Sequence, residues 1–216
     1  MQLLLPVIIG KILAIAVGLY YFRCLPWPYR LLLLTIVLAA LAESFGRYIA
    51  VHMHQHNSWM FNFYLIIDFT LNGIIAIAVT KGSTARRFFP VLMATYYIGW
   101  VAEIAINSLY VLANYTIVFG AVLLTVMYVF VLFNNSIFSG KNILGQPIFW
   151  LAMATILYCA PGIPYWGLHN YLINNAPKLS HQLNIINTVL DILRYPLAAI
   201  SFILLGRQKT GALKTA

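Results

Sequence analysis

Acidic side chains are nearly missing from this chain: 216 residues carry four Asp and Glu against thirteen Lys and Arg. Charged residues of all kinds make up 8%, hydrophobic ones 62%, and the mean hydropathy is +0.88. So few charges cannot cover the surface of a soluble domain of this size, which makes the chain an integral membrane protein with the lipid bilayer as its first partner. In such a protein a basic excess reflects cytoplasmic loops, so nucleic acid is not an expected partner. The two cysteines, Cys24 and Cys159, lack metal-ligand spacing and are not expected to form a disulfide. Also missing are a Gly-rich phosphate loop, a Ser-His-Asp order and a His-Glu-x-x-His segment, which leaves the common hydrolase and nucleotide-binding signatures without support. The chain begins MQLLLPVIIGKILAIAVGLYYF, with no basic residue before the apolar run and Lys11 in its middle. A secretory signal peptide has the reverse order, so this stretch reads as a first transmembrane helix.

Long apolar runs are what the chain has in abundance. A bilayer core of roughly 30 Å needs about 20 mostly apolar residues per helix, and seven such runs occur, near 2–22, 31–52, 58–80, 88–112, 115–134, 147–166 and 181–205. The breaks between them hold turn residues: Pro26 and Pro28 between Arg23 and Arg30, a Gly among basic residues from Lys81 to Arg87, and Asn, Ser and Gly from Asn134 to Gly145. The expected fold class is an all-α, seven-transmembrane-helix bundle over 1–206 with a short basic tail at 207–216.

Orientation follows from the loops. Arg23, Arg30, Lys81, Arg86, Arg87 and Lys141, with tail residues Arg207, Lys209 and Lys214, lie on one side, and only Lys178 lies on the other. The excess puts the N-terminus outside and the C-terminus in the cytoplasm, within a cytoplasmic (inner) membrane.

The remaining charges fall inside apolar runs. They are Lys11, Glu43, Arg47, Asp68, Glu103, Asp191 and Arg194, so every acidic residue of the chain is intramembrane. A charge at the bilayer centre costs about 2.5 to 3.5 kcal/mol on insertion scales, and such groups face protein or water instead of lipid. In the seventh run Asn184, Asn187, Asp191 and Arg194 recur at helical spacing and form one polar stripe. Glu43 and Arg47 at i, i+4, and Asp191 and Arg194 at i, i+3, are spaced to neutralise one another. The expected ligand-binding set is Glu43, Arg47, Asn62, Asp68, Glu103, Asn187, Asp191 and Arg194, gathered in a pocket open to the extracytoplasmic side. Pro196, which cannot donate to the carbonyl one turn above, marks an expected kink.

The run VHMHQHN places His52, His54 and His56 at the outer end of the second helix, with His181 at the outer start of the seventh. Such imidazoles are spaced to share zinc or another divalent metal, with His52, His56 and His181 as the candidate ligands and His169 nearby. Ser44, Asp68 and the histidines bear a loose resemblance to the intramembrane hydrolases of the ceramidase type, but His181 lacks a second His four residues on.

The segment QPIFWLAMATILYCAPGIPYW, followed after a loop by INTVLDILRY, resembles a family of small seven-helix membrane proteins common in Bacteroidetes. The matching positions are Pro147, Phe149, Trp150 and Tyr158, then Asn187, Asp191 and Tyr195; Glu43, Asn57, Trp59 and Asn62 fit the same family's pattern earlier in the chain. Asp191 stands where the family has Asn, and Gln146 where it has Asp. The resemblance implies a bacterial seven-helix fold and its topology, and it implies no activity. Comparison with rhodopsins and G-protein-coupled receptors rests on helix count alone: the seventh helix has no Lys for a retinal Schiff base, so retinal is not an expected cofactor, and no Asp-Arg-Tyr or Asn-Pro-x-x-Tyr stands in its place.

These features point to a receptor-like sensor for a small polar ligand or an ion, not an enzyme, which relies on a cytoplasmic signalling partner because the chain has no cytoplasmic domain of its own. The alternatives are a proton- or ion-coupled transporter or channel relaying charge through Glu43, Asp68 and Asp191, and a metal-dependent intramembrane hydrolase.

Overall fold

Seven α-helices, with no strand among the described residues, build the chain in this computed structural model, which describes residues 4–81, 83–135 and 142–214. They are α1 (Leu4–Tyr20), α2 (Trp27–His52), α3 (Ser58–Val79), α4 (Ser83–Asn107), α5 (Asn114–Asn134), α6 (Pro147–Asn175) and α7 (Pro177–Lys214). Six of them, α2 to α7, are long and apolar enough to cross a membrane, which makes this a multi-pass helical membrane protein. The described part of α1 has 17 residues, about 26 Å at 1.5 Å per residue, and falls below that length.

The helix ends differ from the apolar runs where polar sequence stays helical beyond the hydrocarbon. Hydropathy marks the apolar part of a helix and not its hydrogen-bonded ends. Thus α2 starts at Trp27, with Pro28 in the first turn, where its fixed φ and missing N–H are tolerated. α6 and α7 meet at Ala176, where a loop from about 167 to 180 was expected; Pro177 then opens α7. α4 stops at Asn107 instead of near 112, and residues 108–113 form a loop in which Ser108 has φ 71°. α7 stays helical through Pro196, so no break accompanies that proline.

α7 lies between α1 and α6 and α5 packs on α6, while α3 contacts α2, α4 and α5. The bundle therefore has two ends. The basic end carries residues 21–26, 80, 81, 83, 135 and 142–146 and the close of α7; Lys141 and the side chain of Lys214, counted in the charge asymmetry, lie outside the described residues. The histidine end carries 53–57, 108–113 and Ala176.

The two halves differ in what fills them. Toward the basic end the interior is a mostly apolar core in which Phe89, Met127, Val131, Leu151 and Phe202 are fully buried. Close approach depends on glycine: a Cβ on Gly120 of α5 would stand 2.8 Å from the ring of Tyr96, itself stacked on Phe69 with centroids 3.7 Å apart. Ile12, Leu13, Ile98 and Val101 are exposed on the outer surface, as lipid contact requires. Toward the histidine end the interior holds the intramembrane charges other than the exposed Arg47.

Candidate functional site

Side chains three and four apart on α7 share a face, and this brings Asn187, Asp191, Arg194 and Tyr195 against α1, α2, α3 and α6. Arg194 is 7% exposed. Its guanidinium lies 3.8 Å from the Asp68 carboxylate of α3 and stacks over the Tyr158 ring of α6, 4.5 Å from the centroid. Asp68 also accepts from the Tyr64 hydroxyl at 3.2 Å and from Nδ2 of Asn72 at 3.2 Å. Asp191 accepts at 3.2 Å from the Tyr195 hydroxyl, one turn on.

On the other flank of Tyr195, Lys11 of α1 forms an ion pair with Glu43 of α2, and its ammonium lies over the Tyr195 ring, 5.2 Å from the centroid. Lys11 is buried, whereas the Glu43 side chain is half exposed. Three helices, α2, α1 and α7, thus contribute to one chain of contacts, from Glu43 through Lys11 and Tyr195 to Asp191.

Glu43, Asp191, Arg194 and Tyr195 border a cavity of about 400 Å³. Ala39 and Glu43 of α2 form one wall, and Asp191, Arg194 and Tyr195 of α7 another. Phe61 and Tyr64 of α3 and Tyr158 and Trp166 of α6 give it aromatic surface, while Asn57, Ser58 and Leu112 place its rim at the histidine end. A second cavity of about 70 Å³ shares Leu65, Ile117, Tyr158, Trp166 and Asn187 with the first and reaches Asp68 and Cys159. Gly162 keeps this junction open, since a Cβ there would stand 3.3 Å from the Asn187 amide oxygen.

Of the residues singled out from sequence, Glu43, Asn187, Asp191 and Arg194 line the larger cavity and Asp68 the smaller. The expected pairings are corrected. Glu43 pairs with Lys11 instead of Arg47, and Arg194 lies nearest to Asp68, acting on Asp191 only from beyond 4.0 Å, because neighbouring helices bring partners closer than one helix face does. Arg47 is exposed and borders neither cavity.

Asn62 and Glu103 are also displaced from the expected pocket, by the needs of the backbone. Asn62, wholly buried, donates to the carbonyls of Leu109 and Val111 at 2.8 Å each and accepts from the Ala113 N–H at 3.0 Å, which clasps the α4–α5 loop. Glu103 accepts from the N–H groups of Tyr115 and Thr116 at 3.1 and 2.6 Å and from the Thr116 hydroxyl at 2.6 Å, so it caps the unsatisfied first turn of α5. Asn184 accepts at 3.3 Å from the Tyr165 hydroxyl, near the same end.

His52, His54, His56 and His181 are all exposed, and His52 packs against Tyr48. His169 sits among Tyr165 and Trp166. Among the described residues no group of three or more His, Cys, Asp or Glu is placed to hold a metal ion. Outside the site set drawn from sequence are Lys11, noted there only as an intramembrane charge, and the aromatic walls Phe61, Tyr64, Tyr158 and Trp166. Lys11 was visible as a charge within an apolar run; for Phe61 and Tyr64 no sequence signal separates a cavity wall from ordinary packing.

The arrangement places one cation and two carboxylates on a water-sized to ligand-sized space inside an otherwise apolar bundle, with aromatic faces opposite. The chain matches no protein family, no curated protein and no solved structure in these three comparisons. What defines it is the class its fold gives, a multi-pass helical membrane protein.

Proposed function

We propose that this protein is a sensor of the cytoplasmic membrane of a bacterium, with α1 as a seventh crossing, its N-terminus outside and the cavity facing the extracytoplasmic side, where it binds a small polar ligand. The resemblance to the seven-helix Bacteroidetes family belongs to this proposal and supports its topology. The observation that carries the reading is the cavity of about 400 Å³ bordered by Glu43, Asp191 and the buried Arg194. Its size falls in the range of about 300 to 1,000 Å³ usual for small-molecule sites, and its lining combines aromatic surface with a few convergent polar groups.

The apolar core around Met127, Val131, Leu151 and Phe202 supports a sensor over a channel, because a conducting path would need polar lining through the half toward the basic end. Ligand contacts on α7 would bias the position of a helix that continues to the basic end, and a cytoplasmic partner would receive that change.

Purified protein in detergent, screened by thermal unfolding against a panel of small polar metabolites, tests the reading. At least one compound is expected to raise the melting temperature, and Asp191→Asn is expected to remove the rise while leaving the cooperative transition in place. A panel that moves neither protein counts against ligand sensing.

A further inference from the structure

Building on the ligand reading above, we propose that the ligand is a small zwitterion, its carboxylate held by Arg194 and its ammonium by Asp191. The argument begins with groups that the protein leaves unmet. A guanidinium has five N–H donors, and Arg194 is 7% exposed. Among the described residues its partners are the Asp68 carboxylate at 3.8 Å, beyond hydrogen-bond range, and the face of Tyr158. None of its donors has a protein acceptor within hydrogen-bond range among the described residues, and the residue borders the cavity. A planar fork of donors fits a carboxylate bidentately.

Asp191 is the complement. A carboxylate accepts about four hydrogen bonds, and among the described residues Asp191 receives one, from Tyr195, with no cation within 4.0 Å. Glu43 has Lys11, Asp68 has Arg194 beside it, and Glu103 receives three hydrogen bonds at the start of α5, which leaves Asp191, with one hydrogen bond and with Lys11 and Arg194 acting on it only from beyond 4.0 Å, as the least satisfied of the four carboxylates. A buried carboxylate that accepts a single hydrogen bond has room for a cationic donor from the cavity.

The two groups stand at i, i+3 on α7, with Cβ atoms about 5–6 Å apart, yet each is turned toward another partner. Both border the same cavity. A ligand whose ammonium and carboxylate hang on one carbon fits between them. A simple cation would serve Asp191 and leave the donors of Arg194 unmet; a simple anion would do the reverse. The zwitterion satisfies both and leaves the net charge of the cluster unchanged. Across the cavity, Phe61 and Trp166 offer apolar faces to the rest of the ligand, which favours an α-amino acid with a large apolar side chain or a betaine.

The test uses the full chain in detergent and three matched sets of probes: leucine, phenylalanine, tryptophan and betaine; the decarboxylated amines of the three amino acids; and their N-acetyl derivatives. Thermal shift and calorimetry are expected to show at least one zwitterion binding tenfold or more tightly than its amine and its N-acetyl acid. Asp191→Asn should erase the preference over the N-acetyl acid, and Arg194→Gln the preference over the amine. These ratios report the role of each residue even where a variant loses stability. Equal or tighter binding of an amine or an N-acetyl acid overturns the inference and leaves the ligand reading standing, as does stabilisation only by neutral compounds of the wider metabolite panel. Silence of all probes and of that panel overturns both.

Discussion

Arg194 of α7 and Asp68 of α3 lie 3.8 Å apart, an ion pair that ties two helices across the interior without a direct hydrogen bond. The pair joins the two cavities, since Arg194 borders the larger and Asp68 the smaller. Both side chains are largely buried, so removing one charge strands the other in a low-dielectric setting. Asp68→Asn is expected to destabilise the protein by about 3 kcal/mol, and the double change Asp68→Asn with Arg194→Met to recover most of that loss. Chemical unfolding in mixed micelles measures both; equal stability of the single variant and the parent contradicts the pairing.

The pair of Lys11 and Glu43 is asymmetric, with Lys11 buried and Glu43 half exposed. Glu43→Gln leaves a buried ammonium without its counter-ion, whereas Lys11→Met leaves a carboxylate bordering the cavity. Glu43→Gln is therefore expected to cost more, about 2 kcal/mol, than Lys11→Met. The order of the two melting temperatures checks this, and the reverse order contradicts it.

Asn62→Ala removes three hydrogen bonds that hold the loop between α4 and α5. The buried Ala113 N–H is then left unmet, so a loss of about 2 to 4 kcal/mol is expected. Glu103→Gln keeps one acceptor oxygen but loses the negative charge at the start of α5, and a loss of about 1 kcal/mol is expected. Hydrogen exchange should show the loss of protection at 109–116 in both variants. Protection unchanged in Asn62→Ala contradicts the clasp.

Orientation has a direct readout. In a background of Cys24→Ser and Cys159→Ala, Gln55→Cys at the histidine end and Gln208→Cys at the basic end are both exposed. A membrane-impermeant maleimide added to intact cells should label position 55 and spare 208 until the membrane is opened. The opposite pattern inverts the topology.

The sequence made the bundle legible because apolar runs and turn residues punctuate it at intervals set by bilayer thickness. It also showed that the acids are intramembrane. Partner choice was not legible, because spacing along one helix exposes i, i+4 neighbours such as Glu43 and Arg47 but not the cross-helix register that brings Lys11 to Glu43. Glu103 and Asn62 misled for a related reason. An intramembrane polar residue must satisfy something, and whether it serves a cavity or the loose end of a nearby helix depends on a short loop whose path the sequence does not specify. A clue existed: α5 opens with Asn114, Tyr115 and Thr116 and has no acidic residue in its first turn, so an acid from elsewhere was free to cap it.

The most direct measurement of the central claim is an experimental map of the protein bound to the compound that raises its melting temperature most. The account predicts density for that compound in the cavity between α2, α3, α6 and α7, in contact with Asp191 and Arg194. Density for the compound elsewhere, with this cavity filled by water or by a lipid chain, would contradict it.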